Sequence, residues 1–181
     1  MKVTVRDVFI LKCVEPQQLK NYLLSSGWHE DRPFLDNAII WLKQVVERGE
    51  FEILLPLHQN LGDYAARISD AIKILEEVEN RSQIEILSEL IENVPDMTIS
   101  GIITQIKIPD VDKLSGEITL QGVVFDQLRK IKTELNEHDY ISAIKAYQER
   151  LKVKITGDLI KEKNTLTLKH SRNFKCCIEA E

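Results

Sequence analysis

The sequence predicts an α+β protein: an N-terminal β-hairpin packed with helices, then a C-terminal five-stranded OB-like barrel with a helix between strands 3 and 4. Three observations predict it. From Met97 to Lys169 the apolar pattern reads as three strands, a helix and two more strands. Before that stretch, two apolar runs flank an Arg48-Gly49 turn and lead into two helical patterns. Between them Asn93-Val94-Pro95-Asp96 interrupts the chain and the charge changes sign. Residues 1–96 carry 10 Lys and Arg against 17 Asp and Glu, a net −7; residues 97–181 carry 14 against 12, a net +2. The expected domains are therefore an acidic α+β domain over 1–94 and a barrel over 95–181, with a short joint.

The first elements follow from caps and breakers. Val3 to Val14 is apolar with interspersed charges and reads as a strand or an irregular lead-in. Pro16 opens a short helix, because proline is tolerated at the first helical position. Leu19, Tyr22 and Leu23 make its apolar stripe, and Gly27 suits the left-handed residue that ends it. Trp28 is expected to pack back on that helix. His29-Glu30-Asp31-Arg32 has no second histidine four residues on, so it lacks the zinc-protease spacing and reads as a solvated charged turn. Ile39–Val46 and Phe51–Leu57 are the hairpin strands, with a helix over Asn37–Val46 as the rival reading of the first. Pro56 then falls at a strand end, where its missing N–H costs little.

Two helices come next. Asn60 is the expected cap of the first, with Leu61, Ala65, Ile68, Ile72, Leu75 and Val78 as its stripe and Asn80 as its end. Ser82-Gln83-Ile84-Glu85 is a capping box opening the second, with Ile84, Leu87 and Ile91 inward. Both helices are expected to pack on the hairpin. Asn80-Arg81-Ser82 also spells a glycosylation sequon, but Ser82 is better used as the cap.

In the barrel half, Thr98–Ile108 is the first strand, with Gly101 where it bends. Pro109–Ser115 is a polar connection, Gly116–Gln121 the second strand and Leu128–Leu135 the third. Ile131, Thr133 and Leu135 share one face of that strand; Lys130 and Lys132 share the other. Asn136 caps a helix whose stripe is Tyr140, Ile144, Tyr147 and Leu151. Lys152–Leu159 alternates strictly, with Val153, Ile155 and Leu159 inward and Lys152 and Lys154 outward. Lys161-Glu162-Lys163-Asn164 turns the chain into a last strand over Thr165–Lys169.

These motifs resemble an uncharacterised family of bacterial proteins. The residues that carry the resemblance are Gly27-Trp28, the Leu54-Leu55-Pro56-Leu57 strand before Leu61-Gly62-Asp63-Tyr64, and Asp139-Tyr140 and Ala143 leading into Val153–Leu159. The resemblance implies two linked modules, an N-terminal α/β region and a C-terminal OB-like barrel. It implies no activity and no site.

Composition narrows the function. A pI of about 5.5 and a net charge of −5 argue against a protein that coats nucleic acid by charge alone. No apolar run approaches the roughly 18 residues of a membrane span. The N-terminal stretch gains Asp7 before any long apolar segment, so a signal peptide is not expected and a cytoplasmic bacterial protein is. The three cysteines, Cys13, Cys176 and Cys177, read as reduced thiols. The four histidines are scattered, no Ser or Cys sits in a nucleophile elbow, and seven glycines form no phosphate-cradling loop. The sequence therefore nominates no catalytic, cofactor-binding or metal-ligating residue.

Two readings remain. One is a non-enzymatic protein-interaction or regulatory subunit, binding a protein partner or its own copy. The alternative is a single-stranded nucleic-acid-binding protein using the outward Lys130, Lys132, Lys152 and Lys154. Such platforms stack bases on aromatic rings at about 1–3 kcal/mol per base. The barrel half offers Phe125, Tyr140, Tyr147 and Phe174, and both tyrosines fall on the expected buried stripe. The same four lysines are thus the candidate contacts for either partner, and protein docking is the favoured use.

Overall fold

The computed structural model describes residues 5–107 and 115–177. The chain forms two compact units, Met1–Ile91 and Glu92–Glu181.

The first unit opens with a short helix, α1 (Val8–Lys12), rather than a strand. Its cause is Asp7, whose carboxylate accepts the amides of Phe9 and Ile10 and so starts a helical turn. Helix α2 (Pro16–Ser25) has proline at its start, a Glu15–Gln18 capping box, and Leu19 and Leu23 fully buried. Gly27 takes φ +78 and the Trp28 amide returns to the Leu23 carbonyl at 3.0 Å. Trp28 is buried, as its position after the helix stop predicts.

A three-stranded antiparallel sheet follows in the order β1 (His29–Phe34), β2 (Ala38–Val45), β3 (Gly49–Pro56). The β2–β3 pair is the expected hairpin, in unbroken register from Ala38↔Pro56 to Val45↔Gly49. The added strand is β1, which was expected to be a turn. It is exposed along its whole length, as its charges require, yet it pairs with β2. A bulge between Glu30 and Arg32, and Pro33, make it a protected edge.

Helix α3 (Tyr64–Glu79) lies on β3. Its cap is Asp63, not the expected Asn60, because His58 to Asp63 is held in successive turns. Asn80 ends it in the left-handed conformation at φ 53. Helix α4 (Gln83–Leu90) carries the complete Ser82–Glu85 capping box. Its buried residues are Gln83, Ile86, Leu87 and Leu90, followed by Ile91 at its end; Leu87 and Ile91 face inward as expected, whereas Ile84 is only half-buried. The phase is set by Gln83, whose amide donates to Glu76 and accepts from the Val5 N–H. Of the two helices α3 makes the main contact with the sheet; α4 packs chiefly on α2 and α3.

The second unit is a closed barrel of β4 (Asn93–Ile106), β5 (Gly116–Val124), β6 (Gln127–Leu135), β7 (Lys152–Glu162) and β8 (Thr165–Cys177), in the order β4-β5-β6-β8-β7. Among the described residues only β6 and β8 pair in parallel, over Ile131↔Leu166 to Thr133↔Leu168. Helix α5 (Glu137–Gln148) lies between the third and fourth strands. This is the OB-like order. The alternation of β6 and β7 places Ile131, Thr133, Leu135, Val153, Ile155 and Leu159 inside and the lysines outside.

Three details differ from the sequence expectation. Strand β4 starts at Asn93 and passes through Pro95, which sits in a register shift between Val94 and Met97. Strand β8 continues past Lys169 to Cys177. Helix α5 buries Tyr140, Ala143 and Ala146, while Ile144 is half-buried and Tyr147 is 43% exposed. The alanines allow close approach, so the buried face turns toward them and away from Tyr147. The connection read over Pro109–Ser115 lies outside the described residues apart from Ser115, as does Ile108.

Candidate functional site

Cross-strand register fixes where the four lysines stand. Lys130 pairs with Gln121, Gln121 with Ile102, Ile102 with Lys152, and Lys152 with Cys177. These residues form one row round the barrel wall. Strands sit about 4.8 Å apart, so Lys130 and Lys152 are roughly 14 Å apart along the row. Lys154 belongs to the adjacent outward row, opposite Ser100 on one side and Lys175 on the other. Lys132 stands apart. It faces Thr119 and Thr167, and its ammonium lies 3.8 Å from Glu117.

The register therefore joins Lys130, Lys152 and Lys154 and adds Lys175, which an expected strand end at Lys169 had hidden. All four are exposed. None of the four has an ion-pair partner among the described residues. Between and beside them the wall carries Ile102, 47% exposed, and the directly paired Val123 and Leu128, 58% and 64% exposed. Alternation could have found these aliphatics. Val123 and Leu128 flank the two-residue Phe125-Asp126 turn, and both are out of phase with the core residues Val124 and Ile131.

That turn is also the most constrained part of the wall. Val124 pairs with Gln127, leaving Phe125 and Asp126 at φ 50 and 54. Two successive positive φ values are what a type I′ hairpin demands. Phenylalanine tolerates the left-handed region poorly, so register is held here by the flanking ladder rather than by the turn residue.

A second feature lies where β6 and β8 diverge after their three parallel pairs. A groove of about 640 Å³ opens there, with Leu135, Leu168, Lys132, Asn136, Lys169 and His170 among its lining. Its positive groups are offset by carboxylates: Lys132 by Glu117, and Lys169 by Glu162 at 3.6 Å. The Ser171 hydroxyl is spent on the Glu134 carbonyl at 2.7 Å.

A third feature gathers titratable groups. His170 Nδ1 lies 2.8 Å from Asp158, the Asp96 amide donates to the other Asp158 oxygen at 3.1 Å, and Arg172 pairs with Asp96. Asp96 and His170 both have positive φ, and the β4–β7 and β7–β8 ladders shift register nearby. Asp and His are among the residues that tolerate this conformation. The network closes on itself and ties two bulges together.

The remaining candidates are structural. Trp28 is core, His138 is exposed in the first turn of α5, and His29 is on the exposed edge strand. Burial raises the pKa of Cys13 and Cys176 above the ordinary thiol value, which disfavours the reactive thiolate at both. Among the described residues no group of three or more His, Cys, Asp or Glu is arranged to hold a metal ion. No described helix is long and apolar enough to cross a membrane.

No protein-family model matches the chain, and no curated protein matches it in sequence.

Proposed function

We propose that the chain is a non-enzymatic protein-interaction or regulatory subunit that docks a protein on the outer wall of its barrel. One observation carries this reading: Lys130, Lys152, Lys154 and Lys175, without carboxylate partners among the described residues, border exposed Ile102, Val123 and Leu128. A contiguous apolar centre with a charged rim is the anatomy of a protein interface. Aliphatic side chains bury well against a protein but give bases nothing to stack on. A closed barrel has no free strand edge, so the partner meets side chains and not backbone. We further place the chain in the bacterial cytoplasm, with the family it resembles.

The alternative, single-stranded nucleic acid, is favoured by the same lysines, without carboxylate partners among the described residues, and by Tyr147, which is 43% exposed. Tyr147 is on α5, however, and not among the strand rows that carry the lysines.

The test is a photo-crosslinking residue at Val123, expressed in the native cell. A discrete protein adduct that disappears with Ile102→Ser supports docking. Adducts to nucleic acid alone, together with oligonucleotide binding that falls steeply between two salt concentrations, would replace it with the alternative.

A further inference from the structure

We infer that the occupant of the barrel wall is an acidic protein segment bearing aliphatic residues; this rests on the docking function proposed above and adds the chemistry of the partner. The wall has two components that one ligand must satisfy together. The first is charge. Lys152 and Lys154 alternate on β7, Lys175 stands opposite Lys154, and Lys130 ends the row that Lys152 begins. Three other cations of the barrel are paired: Lys132 with Glu117, Lys169 with Glu162, and Arg172 with Asp96 and Asp158. The four lysines have no carboxylate partner among the described residues, and their grouping on neighbouring rows makes a positive field that selects carboxylates and raises their rate of encounter.

The second component is apolar. Val123 and Leu128 are direct cross-strand partners, and Ile102 lies one row away across β5. Directly opposed side chains sit about 5 Å apart and diagonal ones about 7–8 Å. Three aliphatics at that spacing present a target the width of two or three partner side chains. The acidic reagent that binds only through charge, or the apolar one that binds only through burial, uses half of the wall. A segment with interleaved Glu or Asp and Leu, Ile or Val uses all of it.

Three probes test the inference on the full-length protein by fluorescence anisotropy. They are a twelve-residue peptide of Glu and Leu in equal number, a twelve-residue polyglutamate, and a twelve-nucleotide oligo(dT). The Glu/Leu peptide should bind at least about tenfold tighter than the other two. Lys152→Glu/Lys154→Glu and, separately, Leu128→Ser should each weaken it by about tenfold or more. Both changes are on the solvent face, and an unchanged melting temperature shows that each variant is folded. Equal binding of polyglutamate, preference for oligo(dT), or indifference to Leu128→Ser would overturn the inference. If Val123 cross-links to a protein through a neutral or basic segment, docking stands and this inference alone falls.

Discussion

Gly101 on β4 faces Gly122 on β5, and each leaves the space the other strand's backbone occupies. A Cβ at Gly122 would lie 2.8 Å from the Ser100 carbonyl oxygen, and one at Gly101 would press into the Gln121 carbonyl. The crowding is against backbone, which cannot rotate away. Gly101→Ala and Gly122→Ala should each destabilise the protein by about 1–3 kcal/mol. Gly62→Ala, with nothing within 4 Å of the added carbon, should be near neutral. Urea denaturation of the three variants checks the ordering.

Tyr64 ties the first unit's N-terminal segment to α3. It is fully buried, and its hydroxyl donates to the Val14 carbonyl at 2.5 Å. Burial, with a smaller contribution from Glu15, pushes its pKa up to about 12. Tyr64→Phe leaves that carbonyl only the longer contact from Gln59 Nε2 at 3.4 Å and should cost about 1 kcal/mol. Spectrophotometric titration of the native protein should show a tyrosine ionising near pH 12, lost in Tyr64→Phe.

The Phe125-Asp126 turn makes a prediction of the opposite sign. Asparagine accepts the left-handed conformation that alanine resists. Phe125→Asn and Phe125→Ala both remove the ring, so their difference isolates the backbone. The asparagine variant should be more stable than the alanine variant by about 1 kcal/mol. Equal melting temperatures would show that the turn is not under this constraint.

Glu85 gives a pH dependence. Hydrogen bonds from the Ser82 amide and hydroxyl stabilise its carboxylate and lower its pKa from 4.5. A carboxyl whose folded pKa is depressed contributes stability above its unfolded pKa and loses it as pH falls through the folded value. The contribution is therefore complete above about pH 5 and fades on acidification below 4.5. Melting curves from pH 3 to 7 should show a smaller loss on acidification for Glu85→Gln than for the parent, with the parent more stable at neutral pH.

Much of this was legible in the sequence because it is local. The Ser82–Glu85 box, the Gly27 stop, the Arg48-Gly49 hairpin and the Lys152–Leu159 alternation each follow from neighbours two to four residues apart. The misreadings came from distant partners. Gln83 took the inward place expected of Ile84 on α4 because it answers Glu76 and Val5. Strand β1 formed because β2 offered an edge, although its own residues are charged. Tyr147 left the core because Ala143 and Ala146, invisible to a search for large apolar residues, face the barrel. The candidate wall was half legible. Outward lysines follow from alternation, but their grouping with Ile102, Val123 and Lys175 depends on register across β4, β5, β7 and β8.

The barrel is sealed by its least local pairings. The β5–β6 and β7–β8 hairpins close over two-residue turns and can form within microseconds. Closure waits for β4 to find β7, as in Ile99↔Ile155, and for β6 to lie parallel to β8, as in Ile131↔Leu166. Each of those steps restricts dozens of intervening residues before any ladder bond rewards it. Folding of this unit should therefore be governed by topology and fall on the slow, millisecond-to-second side of the two-state range. Until closure, the outer edges of β4 and β6 stay open, and other chains at high concentration compete with β7 and β8 for those edges.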